Sequence, residues 1–196
     1  MKVVLPIFLF PPIEYILLLQ SAEKVILCSG EYFQKQTFRN RYEIATSNGK
    51  LRLTVPVEGS KNHRKLSEMS IHYRENWPQI HLKTLVSAYK NSPYFEFYEP
   101  GLQNLLFSQE QNLVQFSLKA LSFLEKGFKH PFSYEISPNY LADYGADFTD
   151  LRNYAFDGSM QVQLPSYFQP FSDRLGFISN LSGLDLLFCE GPNALN

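Results

Sequence analysis

The chain has 196 residues, of which 44% are hydrophobic and 19% charged, and its formal net charge is −1. A chain of this length is expected to bury one hydrophobic core, so we predict a single domain over residues 1–196. Nucleic acid is excluded as an expected partner because no excess of positive charge is present, and the two distant cysteines, Cys28 and Cys189, exclude a disulfide framework or a zinc finger.

The first thirty residues, MKVVLPIFLFPPIEYILLLQSAEKVILCSG, are strongly apolar and have two interpretations. A signal peptide or a membrane-spanning helix needs an unbroken apolar run. Here Pro6, Pro11 and Pro12 interrupt the run and Glu14 adds a charge, so we favour a folded segment, no membrane insertion and a cytoplasmic protein. The predicted elements are a strand over residues 3–10, a helix over Ile13–Ser21 and a strand over Lys24–Cys28. Apolar strands joined by a helix predict parallel pairing with a right-handed crossover.

A β-hairpin is predicted next, because Asn48-Gly49 separates two strand-forming runs and favours a tight turn. Alternation along its first strand places Asn40 on the apolar face, while Arg39 and Arg41 lie on the opposite face. Asn40 is therefore expected to point toward the core. The basic loop at residues 59–66 is expected to be solvated rather than to bind an anion.

Three helices are predicted after the hairpin. The first begins near Trp77 and has His81, with Ile80, on its apolar face at helical spacing. The second begins at Ser92-Pro93. Ser108 and Gln111 match a capping box for the third, which should end at residues 126–127.

The last third of the chain is predicted to be less regular. A short strand is expected over residues 132–136, and residues 138–176 should form ordered coil rich in aromatic residues. A closing helix has Ser182 as its N-cap, Asp185 in its first turn and Gly191-Pro192 as its end. Together the elements predict an α/β or α+β fold, with a mixed sheet, an N-terminal βαβ unit, a β-hairpin, a run of helices and an irregular C-terminal region.

Several sequence blocks resemble the WbqC-like family of bacterial proteins. They are LPxxLFPPIEYI, QKQTFRNRYEI, LTVPV, W-x3-H, SAYKNSPYFEFY and NLSGLDLLFCEGP, in this order along nearly the whole chain. The resemblance implies a role in the biosynthesis of O-antigen or another surface polysaccharide.

The resemblance also marks recurrent polar positions. They fall on Glu31, Lys35, Asn40, Arg41, Trp77, His81, Tyr89 and Asp185. Ligands of open α/β sheets bind at strand ends. We therefore expect Glu31, Lys35, Asn40, Arg41 and His81 to converge on one pocket, with Tyr32, Phe33 and Trp77 as aromatic walls.

Such a pocket would suit a sugar that carries a phosphate or a carboxylate. Arg41 would bind the anion, Asn40 the hydroxyl groups and the aromatic rings the apolar face of the sugar. In an enzyme, His81 would be the general base and Glu31 a second catalytic group. Each polar residue also has a structural interpretation, as a hydrogen-bonded member of the core or of the hairpin.

Three functional hypotheses follow. The first is an acyl or aminoacyl transferase that acts on an amino sugar, and the second is a noncatalytic protein that binds a sugar or a sugar nucleotide. The third is an accessory subunit of a biosynthetic complex, which would expose an aromatic patch within residues 138–170. We predict no cofactor and no metal, since nucleotide-binding, serine-hydrolase and metal-binding motifs are absent from the sequence.

Overall fold

The fold is an α/β arrangement built on a parallel sheet, seen in a computed structural model that describes residues 1–59, 63–160 and 166–195. The strands are β1 (Lys2–Pro6), β2 (Lys24–Cys28), β3 (Arg41–Thr46), β4 (Gly49–Thr54), β5 (Val57–Glu58), β6 (Ser70–Ile71), β7 (Glu135–Ser137) and β8 (Phe148–Asp150). The helices are α1 (Ile13–Ser21), α2 (Trp77–Tyr89), α3 (Phe95–Leu106), α4 (Leu113–Phe128), α5 (Ser172–Leu175) and α6 (Gly183–Glu190), with short 3-10 helices at Leu66–Glu68 and Gly191–Asn193.

The parallel sheet has the strand order β7-β2-β1-β8. β1 and β2 pair in parallel across α1, as predicted, and the predicted bounds of α1 and β2 are confirmed. β1 is shorter than predicted: it ends at Pro6, and the chain leaves the sheet after this residue. The backbone N–H of Leu9 donates to the carbonyl of Phe38 at 2.9 Å, and Phe10 has a positive φ of 42°.

The fourth strand of this sheet was missed by the sequence prediction. β8 lies within residues 138–176, for which the sequence predicts coil, and it pairs in parallel with β1 from Lys2 opposite Phe148 to Val4 opposite Asp150. Three residues are too few to show a strand period. The strand forms because the edge of β1 supplies its hydrogen-bond partners.

The hairpin of β3 and β4 is confirmed, with Asn48-Gly49 at its turn and Gly49 at a φ of 102°. Tyr42 and Ile44 are buried on its inner face, together with Asn40. The side-chain amide of Asn40 donates to the carbonyl of Val55 at 2.8 Å. The alternation predicted from the sequence therefore places Asn40 and Tyr42 toward the core.

The predicted helices are present, with three corrections. The helix predicted to begin at Ser92-Pro93 is α3, which begins at Phe95 with Tyr94 as its N-cap. The N-cap of α4 is Asn112, whose side chain accepts from the backbone N–H of Gln115 at 3.0 Å, so the capping box predicted at Ser108 was wrong. Asn112 provides the same kind of acceptor four residues later. Ile80, predicted on the apolar face of α2, is 57% exposed. α6 is confirmed, and Ser182 caps it by accepting from Leu184 at 3.2 Å.

The buried apolar core includes residues from Val3 to Leu195 and gathers β1, α1, the hairpin and helices α2, α3, α4 and α6. Within residues 1–59, 63–160 and 166–195, no helix combines the length and the apolar character needed to cross a membrane.

Candidate functional site

A cleft of about 530 Å³ lies on the outer face of β3, and we call it the arginine cleft. Its charged lining residues are Arg39, Arg41, Glu43, Lys50, Arg52 and Asp157. Its aromatic lining residues are Phe8, Phe38, Tyr154 and Phe156. The side chains of Gln34, Gln36, Asn153 and Asn180 add neutral amide groups. The arginine cleft therefore combines basic, neutral polar and aromatic groups, as ligand sites commonly do.

Arg39 is a structural residue of this cleft. It is 1% exposed, and its Nε and Nη2 atoms donate to the two carboxylate oxygens of Glu31 at 2.9 and 2.7 Å. Nη2 also donates to the carbonyl of Arg152 at 3.1 Å, and Nη1 donates to the side chains of Gln34 and Thr37 at 3.3 and 3.2 Å. These contacts use all five N–H donors of the guanidinium. Arg39 thus ties the loop after β2 to the chain after β8.

Arg41, two residues further along, differs from Arg39 because not all of its N–H donors have a partner among the described residues. It lines the arginine cleft, and its Nε atom is buried without a hydrogen-bond partner among the described residues. A buried donor without a partner is rare in folded proteins and is costly. Because the guanidinium borders the cleft, a ligand with an anionic group is the natural acceptor for it.

Glu43 occupies the next outward position of β3. Its carboxylate accepts from Nε of Arg52 at 3.0 Å and lies 3.1 Å from Nζ of Lys50. Burial alone would raise the pKa of Glu43, but the hydrogen bonds and charges of Arg52 and Lys50 outweigh it and lower that pKa. Glu43 thus pairs with both Lys50 and Arg52 of β4, and Glu31 pairs with Arg39. Among the described cations that line the cleft, Arg41 is the one that forms no salt bridge.

His81 and Trp77 lie away from the arginine cleft. Nδ1 of His81 is 3.0 Å from the hydroxyl of Tyr42, and the rings of Trp77 and His81 are 5.1 Å apart. Tyr42 is adjacent to Arg41, so alternation directs the two side chains to opposite faces of β3. His81 is therefore in the core behind the strand. Among the described residues, His81 and Arg41 lie on opposite sides of β3 and do not line one pocket, contrary to the sequence prediction.

The environment of His81 also affects its chemistry. Burial lowers the pKa of His81 to about 4, and a hydrogen bond with the backbone of Thr54 opposes this effect only in part. The imidazole is therefore neutral at pH 7. Nδ1 accepts from the Tyr42 hydroxyl if the other nitrogen donates to Thr54, and both polar atoms of the ring then have partners.

Tyr89 and Asp185 form a buried hydrogen-bond network beneath α6. The hydroxyl of Tyr89 donates to Asp185 at 2.7 Å and accepts from the backbone N–H of Ala45 at 3.1 Å. Asp185 also accepts from Tyr167 and, at 2.8 Å, from Gln169. Burial raises the pKa of Asp185, although these three donors favour its ionised form. The network joins α2, the hairpin and α6, and none of its members lines the arginine cleft.

The remaining candidate residues are distributed over three places. Glu31 and Tyr32 border a smaller cavity after β2. Lys35 is exposed between Gln34 and Gln36, which both line the arginine cleft. Asn40 is buried in the hairpin. The structure thus brings Arg41 to the cleft and Lys35 near its rim, places Glu31 and Tyr32 at the smaller cavity, and keeps Asn40 in the core.

Glu14 contributes to the cleft in a way that the sequence prediction missed. Its buried carboxylate accepts from the backbone N–H groups of Gly158 at 2.9 Å and Met160 at 2.7 Å, and from the hydroxyl of Tyr154 at 3.1 Å. The residues at 154–157 form one side of the arginine cleft. The signal in the sequence is a single carboxylate, Glu14, within a mostly apolar helix.

Among the described ranges, no group of three or more His, Cys, Asp or Glu side chains is arranged to hold a metal ion. The fold and the cleft therefore define an α/β protein with a basic and aromatic cleft beside a β-hairpin.

The chain belongs to the WbqC-like protein family, whose model matches residues 7–144. The matched range includes β3, β4 and the loop after β2, and thus Arg39, Arg41 and Glu43. No curated protein and no solved structure matches the chain.

Proposed function

We propose that the protein binds a sugar derivative with a phosphate or carboxylate group in the arginine cleft, and that it serves surface polysaccharide biosynthesis in the cytoplasm as a single domain. The observation that carries this proposal is the buried, unpartnered Nε of Arg41 at the cleft. A bound anion would accept from the N–H groups of the Arg41 side chain that border the cleft and would compensate the charge of the guanidinium. The neighbouring amide and aromatic side chains suit the hydroxyl groups and the apolar face of a sugar ring.

Binding without catalysis agrees better with the placement of the candidate catalytic groups. His81 is on the other face of β3, and Glu31 is held by two hydrogen bonds from Arg39. Acyl or aminoacyl transfer to an amino sugar is the second candidate. One observation favours it. Glu31 borders the smaller cavity, and burial raises the pKa of its carboxyl group although Arg39 opposes this effect. A raised pKa is typical of groups that transfer protons.

The accessory-subunit hypothesis keeps some support from exposed apolar side chains. Tyr140, Leu141 and Phe168 are each about half exposed. Residues 161–165, within the segment predicted to carry the aromatic patch, lie outside the described residues. We rank this hypothesis third, because no described surface feature identifies a partner.

The proposal is tested by titration calorimetry of the wild-type protein, Arg41→Lys and Arg41→Gln with inorganic pyrophosphate, uridine diphosphate, sugar 1-phosphates and sugar nucleotides. Loss of one charge-assisted hydrogen bond corresponds to roughly 1.5–3 kcal/mol, so Arg41→Gln should weaken binding at least tenfold. Arg41→Lys should show an intermediate loss, because lysine keeps the charge and not the planar donor geometry. Arg174→Gln is the control, since Arg174 is exposed and is not one of the lining residues of the cleft.

Equal affinity of the wild-type protein and Arg41→Gln for every anion, or no binding of any of them, would overturn the proposal. Turnover is tested separately by mass spectrometry of an amino sugar incubated with an acyl thioester. A product formed by the wild-type protein and not by Glu31→Gln would move the transferase hypothesis to first place.

A further inference from the structure

A second, smaller cavity of about 170 Å³ adjoins the arginine cleft, and we call it the tyrosine cavity. Its lining residues are Glu31, Tyr32, Gln34, Tyr140, Arg152 and Asn153. Glu31 follows β2, Tyr140 follows β7 and Arg152 follows β8. The cavity thus lies at the carboxyl ends of parallel strands, where open α/β sheets place their ligands.

The two spaces share one wall. Gln34 and Asn153 line both of them, and the side-chain amide of Gln34 donates to that of Asn153 at 3.0 Å. Arg39 donates to the other end of the Gln34 amide at 3.3 Å. A ligand that passes over this amide pair would therefore touch both compartments at once.

The charged groups of the tyrosine cavity are already compensated. Glu31 is paired with Arg39, and Arg152 with Asp150 through contacts of 2.9 and 3.0 Å from its Nε atom. The cavity consequently has no free charge for an ionic ligand among its lining residues, in contrast to the arginine cleft with Arg41. A neutral ligand group is the better match for this compartment.

Two partly exposed tyrosine rings make the lining of the cavity aromatic. Tyr32 is 47% exposed and stacks on His63 with ring centroids 4.9 Å apart, and Tyr140 is 51% exposed with the guanidinium of Arg152 4.4 Å from its ring centre. The backbone that carries Tyr140 packs so closely on Gly30 that a Cβ there would lie 2.7 Å from the backbone N of Tyr140. Each ring thus has one packing partner, while part of its surface stays open to a ligand.

We propose that the tyrosine cavity is the compartment for the neutral sugar ring, while the arginine cleft holds the anionic group of the same ligand. This inference rests on the proposed function. Amide groups of Gln34 and Asn153 are suitable partners for sugar hydroxyl groups, and a tyrosine ring packs against the C–H face of a pyranose. The ligand class is therefore a sugar phosphate or a closely related sugar acid that bridges the amide pair.

The test compares inorganic pyrophosphate, uridine diphosphate and N-acetylglucosamine 1-phosphate by titration calorimetry. Tyr140→Ala should weaken binding of the sugar phosphate about tenfold, which corresponds to roughly 1.4 kcal/mol, and should leave pyrophosphate binding unchanged. Tyr140→Phe should keep the wild-type affinity because it retains the ring. Phe97→Ala is the matched control, since Phe97 is 78% exposed and lies outside both compartments. Arg41→Gln should weaken all three ligands.

Three results would overturn the inference. If Tyr140→Ala weakens uridine diphosphate and not the sugar phosphate, the cavity holds a nucleobase. If Tyr140→Ala leaves the sugar phosphate unaffected while Arg41→Gln weakens it, the proposed function stands and the tyrosine cavity is not part of the site. If no ligand binds to the wild-type protein, the proposed function fails and this inference fails with it.

Discussion

The buried imidazole of His81 should make the stability of the protein depend on pH in a defined direction. Because burial lowers its pKa to about 4 in the folded state, the unfolded chain, with a pKa of about 6.5, binds the proton more readily. The stability associated with neutral His81 is therefore fully present above about pH 6.5 and is lost as the pH falls toward 4.

The magnitude follows from the two pKa values. Between pH 7 and pH 5 the unfolded imidazole becomes almost fully protonated, whereas the folded one remains mostly neutral. Linkage then predicts a loss of about 2 kcal/mol in the free energy of unfolding over this interval, and about 3 kcal/mol when the pH falls below 4. This is a large part of the stability of an ordinary domain.

The assay is urea denaturation at pH 7, 6 and 5 of the wild-type protein and His81→Asn. Asparagine cannot titrate in this range, so the decrease in unfolding free energy from pH 7 to pH 5 should be about 2 kcal/mol smaller in the variant. His63→Asn is the matched control, because His63 is exposed, and it should keep the wild-type pH dependence.

Parallel pH profiles of the wild-type protein and His81→Asn would refute this reasoning. They would mean that the imidazole has an ordinary pKa in the folded protein. A role for His81 as a general base near neutral pH would then regain support.

Two further predictions concern residues that form hydrogen bonds within the protein and are not expected to bind the ligand. Arg39→Lys should lower the free energy of unfolding by about 3 kcal/mol in urea denaturation, because lysine cannot replace five donors and leaves the buried carboxylate of Glu31 poorly compensated. A loss below about 1 kcal/mol would contradict the structural role assigned to Arg39. Tyr89→Phe should lower it by roughly 2 kcal/mol, since Asp185 and the N–H of Ala45 each lose a partner, and should leave sugar phosphate affinity unchanged. If Tyr89→Phe instead lowers the affinity for the sugar phosphate, Tyr89 belongs to the ligand site, as the sequence predicts.

Local sequence patterns predicted much of the fold because the responsible interactions are local. Proline at a helix start, Asn-Gly at a turn and the cap at Ser182 each act within a few residues of their own position. They were enough to predict α1, the hairpin and α6. The missed strand β8 shows one limit, because a three-residue strand depends on a partner 146 positions away, as in the pair of Lys2 and Phe148. The displaced cap of α4 shows another, because two side chains four residues apart can each serve as a cap.

The sequence by itself determined that Asn40 points inward and Arg41 outward, since alternation along a strand is a local property. Only the tertiary structure decided what each side meets: Tyr42 and His81 within the core on one face, and an open cleft on the other. It also decided that Arg39 is fully bonded and Arg41 is not, although both arginines lie on the same face of the chain. Glu31 and Arg152 contact Arg39 because the segments after β2 and β8 pack beside it. The spacing of these residues in the sequence does not predict this contact.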